Sequence, residues 1–140
     1  MRALERRQLY RLLDANLNRA REGLRVCEDI CRFILDERSW TKRWKALRHD
    51  LTRAAACLDR QDLLQARSIQ TDVGKASLGT EQSRKDPHQI MLVNMQRVKE
   101  SLRVLEEFLK IFDKNSAENV KKIRYKVYRL EQSYSKKFSF

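Results

Sequence analysis

Glycine and proline are almost missing from this chain of 140 residues, which holds three Gly and one Pro. A sandwich or a small barrel needs many tight turns, so both architectures are excluded. The three cysteines are an odd number without framework spacing. That excludes a disulfide scaffold and fits a reducing compartment. No apolar run approaches the roughly 18 to 20 residues of a membrane span. The opening Met1-Arg-Ala-Leu-Glu-Arg-Arg-Gln is basic with no apolar signal core behind it. A soluble, cytoplasmic protein with no membrane partner is expected. Acid is the scarcer charge, 19 Asp and Glu against 31 Lys and Arg, for a net +12. What is plentiful is 41% hydrophobic and 36% charged residues, enough apolar material for one globular domain with a heavily charged surface.

The apolar residues recur with helical spacing almost throughout. From Arg6 to Leu35, Leu13, Leu17, Ala20, Leu24, Cys27, Cys31 and Ile34 alternate steps of four and three, the period of one helix face. The lead-in Arg6–Leu13 reads either as a separate turn or as part of the same helix. A second helix is predicted from after Ser39 to about Leu58, on Trp40, Trp44, Leu47 and Leu51. A short piece is predicted at Leu63–Arg67. Helix resumes from about His88 to Phe112, and a last one runs from about Ala117 to Tyr134. Between them, residues 68–87 hold Gly74, Gly79 and the lone Pro87 and form the one long loop. A loop of that length in a small helical domain is usually functional.

The two long helices repeat one another. Asn16-Leu-Asn-Arg19-Ala-Arg-Glu22-Gly-Leu24-Arg25-Val26-Cys-Glu28-Asp29 lines up with Asn94-Met-Gln-Arg97-Val-Lys-Glu100-Ser-Leu102-Arg103-Val104-Leu-Glu106-Glu107, at a constant offset of 78. Leu47-Arg48-His49-Asp50-Leu51 meets Ile123-Arg124-Tyr125-Lys126-Val127 at an offset of 76. The unit is a helix pair present twice, in halves of about 14–60 and 88–135. Two such pairs about a pseudo-twofold give an all-α, four-helix bundle in one domain spanning 1–140.

The repeat also places polar residues where periodicity expects apolar ones. At about 100° per residue, Asn16 and Arg19, with their equivalents Asn94 and Arg97, fall inside the apolar arc. A buried Arg costs several kcal/mol unless an anion meets it. A polar cavity between the long helices is one explanation, with Arg19 and Arg97 converging, partly buried, and the 68–86 loop folded over them. An Arg that snorkels, or pairs with Asp14 or Asp72 for packing, is the other. Glu22, Arg25, Glu28 and Asp29 fall on the polar arc, where such spacings usually make surface salt-bridge ladders.

Other motifs carry less. Cys27 and Cys31 share a face and could join Cys57 and His49 around zinc, but all three cysteines sit where small apolar residues fit, so no zinc is expected. Asp72-Val-Gly74-Lys75-Ala-Ser-Leu-Gly79-Thr80 departs from the Walker pattern, having no Lys after Gly79 and no strand before it. It offers instead an acid for metal, a Lys for phosphate and a Gly for close backbone approach. The last helix interleaves Lys121, Lys122, Arg124, Lys126 and Arg129 with Tyr125 and Tyr128. That pattern suits nucleic acid, and it is more often a solvated basic face, so no nucleic-acid partner is expected.

The string from Asp14 to Phe33, with Leu47–Leu51, Ala66-Arg67, Asp72-Val73-Gly74 and Asn94–Glu107, resembles the helical domain found ahead of thiamin-phosphate synthase in some bacterial fusions. That domain is similar to the monofunctional hydroxymethylpyrimidine phosphate kinases, and the resemblance covers essentially the whole chain. It leaves open a stand-alone chain or a domain cut from a fusion. It implies thiamin biosynthesis, with ATP-dependent phosphorylation of 4-amino-5-hydroxymethyl-2-methylpyrimidine phosphate to the diphosphate. Thiamin-phosphate synthase would then be a partner and Mg-ATP the co-substrate. Under that activity Arg19 and Arg97, with Glu22 and Glu100, are the catalytic candidates. Arg48, Arg67 and Lys75 are further phosphate binders, Asn16 and Asn94 read the ring or a phosphate, and Gly74 lets backbone approach. Asp72, Glu22 or Glu100 would hold Mg²⁺, Asp72 first. The rival class is a non-catalytic helical module binding nucleic acid or a thiamin-pathway enzyme through its basic surface. A third is a domain that holds the pyrimidine phosphate without turning it over.

Overall fold

A computed structural model describes residues 1–76 and 83–138 of the chain. Among the described residues there are helices and no strand. The first helix, α1 (Ala3–Asp29), takes in the lead-in and so starts earlier than Arg6. Its buried Leu13, Leu17, Ala20, Leu24 and Cys27 are the residues that keep the four-three rhythm. At its end the chain widens into a π-helical turn (Ile30–Ile34), which the apolar rhythm alone reads as plain helix to Leu35. Asp36, at φ 54°, reverses the chain in the left-handed region that Asp tolerates better than most residues. Helix α2 (Arg38–Ala54) follows, four residues shorter than the predicted end at Leu58.

The Asp59 carboxylate accepts the Asp62 N–H at 2.9 Å and caps the short α3 (Arg60–Gln65), a few residues ahead of the predicted Leu63–Arg67 piece. Asp86 caps α4 (Pro87–Leu109) by accepting the Gln89 N–H at 2.8 Å, with Pro87 at the first helical position. The last helix, α5 (Lys114–Phe138), extends beyond Ala117–Tyr134 at both ends. Val120, Ile123, Val127 and Leu130 are buried as its periodicity requires, and the added turn packs Phe138 on Tyr134 with ring centroids 4.7 Å apart.

The four long helices form a ring in which α1 packs on α4 and α2, and α5 closes it against α4 and α2. Two layers result, α1 with α4 and α2 with α5, as the repeat demands, with α3 laid against α1. The two helices of each layer come close where they cross. At the α1/α4 crossing a Cβ on Gly23 would stand 2.6 Å from Val98 Cγ2, so only glycine lets these backbones come this close. Its counterpart Ser101 turns its hydroxyl back onto the Arg97 carbonyl at 2.8 Å. At the α2/α5 crossing Asp50 and Lys126, also counterparts, pair at 3.4 Å.

Each helix pair is tied internally by a matched ion pair. Glu28 of α1 meets Arg48 of α2 at 3.2 Å, and Glu106 of α4 meets Arg124 of α5 at 2.9 Å. Glu28 and Glu106 are only 3% and 4% exposed, although helical periodicity puts Glu28 on the polar arc. The arc is set by position along one helix, whereas the partner Arg comes from the next helix and brings the carboxylate inside.

Candidate functional site

A cavity of about 500 Å³ opens between α1 and α4, on the side away from α2 and α5. That volume lies in the range of small-molecule sites. Its walls are Asn16, Arg19, Glu22 and Gly23 from α1, Asn94, Arg97, Glu100, Ser101 and Val104 from α4, and Gly74 from the long loop. Four pairs of repeat counterparts thus face one another across one space. The small Gly23 and Ser101 hold the backbones together at the crossing. The longer residues one turn before them stand at the walls.

The two asparagines behave alike. Asn16 Nδ2 donates to the Leu12 carbonyl, and Asn94 Nδ2 donates to the Ile90 carbonyl, both at 2.9 Å. Each amide is fixed by its own helix, which leaves its Oδ1 without a protein partner among the described residues. Asn16 is buried, Asn94 half-buried.

Arg19 and Arg97 line the cavity but are exposed, not partly buried. The apolar arc does include their backbone positions. Their side chains leave it because the helices part on this side of the crossing, and the long stems run along the walls into water. Among the described residues neither Arg has an ion-pair partner, Asp14 and Asp72 being engaged elsewhere. Glu22 is exposed at the wall, and Gln96 Nε2 donates to Glu100 Oε1 at 2.9 Å. The cavity offers two cations, two acids and two amide oxygens. Anionic oxygens accept hydrogen bonds bidentately from guanidinium forks, so such a set suits a phosphorylated ligand.

The remaining predicted residues lie elsewhere. Arg48 is inside the helix pair on Glu28 and does not reach the cavity. Arg67 pairs with Asp14 through its Nε at 2.6 Å, pinning the start of the long loop to α1, and that contact raises the guanidinium's proton affinity. Asp72 accepts the Gly74 N–H at 2.9 Å and lines an adjoining groove of about 270 Å³ with Asp14 and Arg67. Lys75 is exposed beside Gly74 and is not a wall residue. Gly79 and Thr80 lie outside the described residues. Of the loop, Gly74 alone reaches the cavity among the described residues, held there by Asp72 behind it.

The metal candidates separate in the same way. Among the described residues no three His, Cys, Asp or Glu side chains gather as a metal cluster. Cys27 and Cys31 are buried in the core while Cys57 is exposed. Mg²⁺ needs no such cluster, since it binds through one or two carboxylates plus substrate phosphates and water. Glu22 and Glu100 fit that demand at the cavity wall; Asp72, turned onto Gly74, fits it less well.

The ion pairs of Glu28 and Glu106 were the residues that single-helix periodicity missed. A signal for them existed, because Arg48 and Arg124 are also counterparts in the repeat. An acid and a base that recur together in both halves point to a pair.

Residues 11–133 match the ThiD2 family. The chain is 44% identical over 124 residues to a thiamine-phosphate synthase of Synechocystis, covering 88% of this chain and 35% of that protein. It is 42% identical over 132 residues to a thiamine-phosphate synthase of Thermosynechococcus vestitus, covering 94% and 36%. With a thiamine-phosphate synthase of Rhodopirellula baltica it shares 42% identity over 125 residues, 89% of this chain and 33% of the relative. The chain therefore spans about a third of the length of these relatives. No solved structure matches it.

Proposed function

The chain belongs to the ThiD2 family, and from that premise we propose that it acts in thiamin biosynthesis as a kinase, phosphorylating a hydroxymethylpyrimidine monophosphate to its diphosphate at the α1/α4 cavity. The observation that carries the reading is the meeting of Asn16, Arg19 and Glu22 with Asn94, Arg97 and Glu100 around one space. The reaction brings together two phosphorylated molecules, a triphosphate donor and a monophosphate acceptor. Two matched sets of phosphate-binding groups supply one for each.

Phosphoryl transfer asks for charge neutralisation and alignment more than for covalent chemistry. The attacking atom is a phosphate oxygen of the acceptor, which already carries negative charge near neutral pH. It forms the new P–O bond as the bond to the departing ADP breaks, and no side chain has to remove a proton. Arg19 and Arg97 bind the two phosphate groups and bring them into line. Glu22 and Glu100 are the carboxylates that would hold Mg²⁺, which would neutralise charge on the transferring phosphates. Asn16 and Asn94 present fixed Oδ1 acceptors that suit an exocyclic amino group of a pyrimidine. The Gly74 backbone lines the edge of the space.

The test is ³¹P NMR of purified protein with Mg-ATP and the pyrimidine monophosphate. The expected result is the paired resonances of a diphosphate growing with ADP, and none without Mg²⁺. No diphosphate at high enzyme concentration overturns the kinase reading.

A further inference from the structure

The positive charge of this protein is not spread over its surface. Helix α2 carries six Lys and Arg against one Asp, and α5 carries eight against two Glu. Helices α1 and α4 together carry nine against eight. Eleven of the twelve net charges thus sit on α2 and α5, and the fold makes those two helices one layer. Sequence order hides this, because the two helices are separated by α3, the long loop and α4.

The placement separates this charge from the cavity. A field that captures phosphorylated small molecules is most effective around the site that uses them. Here the cavity is walled by the near-neutral α1/α4 layer, and no α2 or α5 residue lines it. The layer is also poorly compensated. Arg48 and Arg124 are consumed internally by Glu28 and Glu106. Asp50 is shared between Arg53 and Lys126. Lys122 and Arg129 have no ion-pair partner among the described residues. Lys122, Lys126 and Arg129 share one helix face, where like charges at this spacing destabilise the helix.

We propose that the α2/α5 face binds single-stranded nucleic acid, with Arg53, Lys122, Lys126 and Arg129 on its phosphates and Tyr125 under a base. Tyr125 is 52% exposed and stands between Lys122 and Arg129 at helical steps of three and four. Arg124 stands over its ring, 5.2 Å from the centroid, and Tyr128 meets it edge-on with centroids 5.8 Å apart. These contacts steady the ring, and a base would stack on the face away from Arg124. Cations tracking a backbone with an exposed aromatic among them is the arrangement that holds single strands, since every base has a face to stack. A groove of about 340 Å³ between α2 and α5, lined by Asp50, Arg53, Lys122 and Lys126 among others, gives the backbone a track. A stable protein partner fits less well, because protein interfaces have charge-poor, apolar centres. Tyr125 and Tyr128 are the only large hydrophobic residues exposed on these two helices. An anionic membrane also lacks apolar side chains here to receive.

The probe is a fluorescein-labelled 20-nucleotide oligouridylate, followed by anisotropy against the full chain. About four contacted phosphates give a log–log salt slope near −3, so affinity should fall roughly 50-fold between 50 and 200 mM salt. Lys122→Ala with Arg129→Ala should reduce that slope by about 1.4. Tyr125→Ala should weaken binding about ten-fold, with Tyr125→Phe restoring it. These variants should unfold no earlier than wild type and keep its phosphorylation rate, so the outcome is separate from that of the kinase reading. The proposal is overturned by no binding at 50 mM salt, or by binding that survives the α5 variants and is lost in Arg19→Ala. It is equally overturned if polyglutamate or anionic vesicles bind as tightly as the oligonucleotide, which would assign the face to acidic protein or lipid.

Discussion

Asp50 of α2 and Lys126 of α5 meet at 3.4 Å, and in the repeat each occupies the other's position. Contact between counterparts happens where a pseudo-twofold axis passes. The opposite layer, α1 with α4, holds the cavity that Arg19 and Arg97 line. One pole of the fold is therefore strongly basic and the other holds the paired polar groups.

If Arg19 and Arg97 serve a ligand and not the fold, changing them should cost activity without costing stability. Arg19→Lys and Arg97→Lys should each lower kcat/KM at least ten-fold, because an ammonium cannot replace a bidentate guanidinium contact. Their thermal midpoints should match wild type, since both side chains are exposed and have no ion-pair partner among the described residues. Steady-state kinetics with calorimetry on the same samples reads both.

The interhelical ion pairs should show the reverse. Glu106→Gln leaves the buried Arg124 without its carboxylate, and breaking a buried pair costs about 3–5 kcal/mol. For a domain of this size the midpoint should drop by roughly 10–20 °C. Glu107→Gln, one residue on, loses only exposed ion pairs to Arg103 and Lys110 and should move it by no more than about 4 °C. Equal effects of the two would remove the structural role given to Glu106.

The crossing of α1 and α4 predicts a cost at a position where glycine ordinarily weakens a helix. Gly23→Ala would set a methyl 2.6 Å from Val98 Cγ2 and 3.3 Å from the Asn94 carbonyl oxygen. Overpacking of this kind costs about 1–3 kcal/mol, more than the helix propensity gained. Urea unfolding of Gly23→Ala against Ser101→Ala, which loses only a local hydrogen bond, measures the difference.

Two of the three thiols should be hidden. Burial pushes the Cys31 thiol up to about 11, and burial with the neighbouring Cys31 pushes Cys27 higher still. Cys57 is exposed, so Ellman's reagent should find one fast thiol in the native protein and three after unfolding. The unfolded chain ionises these thiols near 8.5, before the folded protein does. Stability should therefore hold below pH 8.5 and fall as pH rises from there towards 11. Tyr134, which burial raises to about 12, adds to the loss above pH 10. Thermal midpoints between pH 7 and 11 under reducing conditions test the sign.

The parts of this fold that were legible in the sequence are those written within one helix or in the comparison of two. The four-three rhythm marked the long helices, and the offset of 78 aligned Asn16, Arg19 and Glu22 with Asn94, Arg97 and Glu100. The π-helical turn was not legible, because Cys31 and Ile34 continue the rhythm while the backbone widens beneath them. Arg48 and Arg67 pointed to phosphate on residue type alone, yet their partners Glu28 and Asp14 lie 20 and 53 residues away. The charge of the α2/α5 layer was countable from the start, but its concentration required knowing which helices are neighbours.

Isothermal titration tests the shared cavity most directly. The pyrimidine monophosphate is titrated into protein saturated with Mg²⁺ and a non-hydrolysable ATP analogue, using wild type, Arg19→Ala and Arg97→Ala. Wild type should bind one equivalent, and each variant should weaken binding of the analogue or of the monophosphate at least ten-fold at an unchanged unfolding midpoint. Binding of both ligands to both variants with wild-type affinity would contradict the account and take the phosphate site away from the space between α1 and α4.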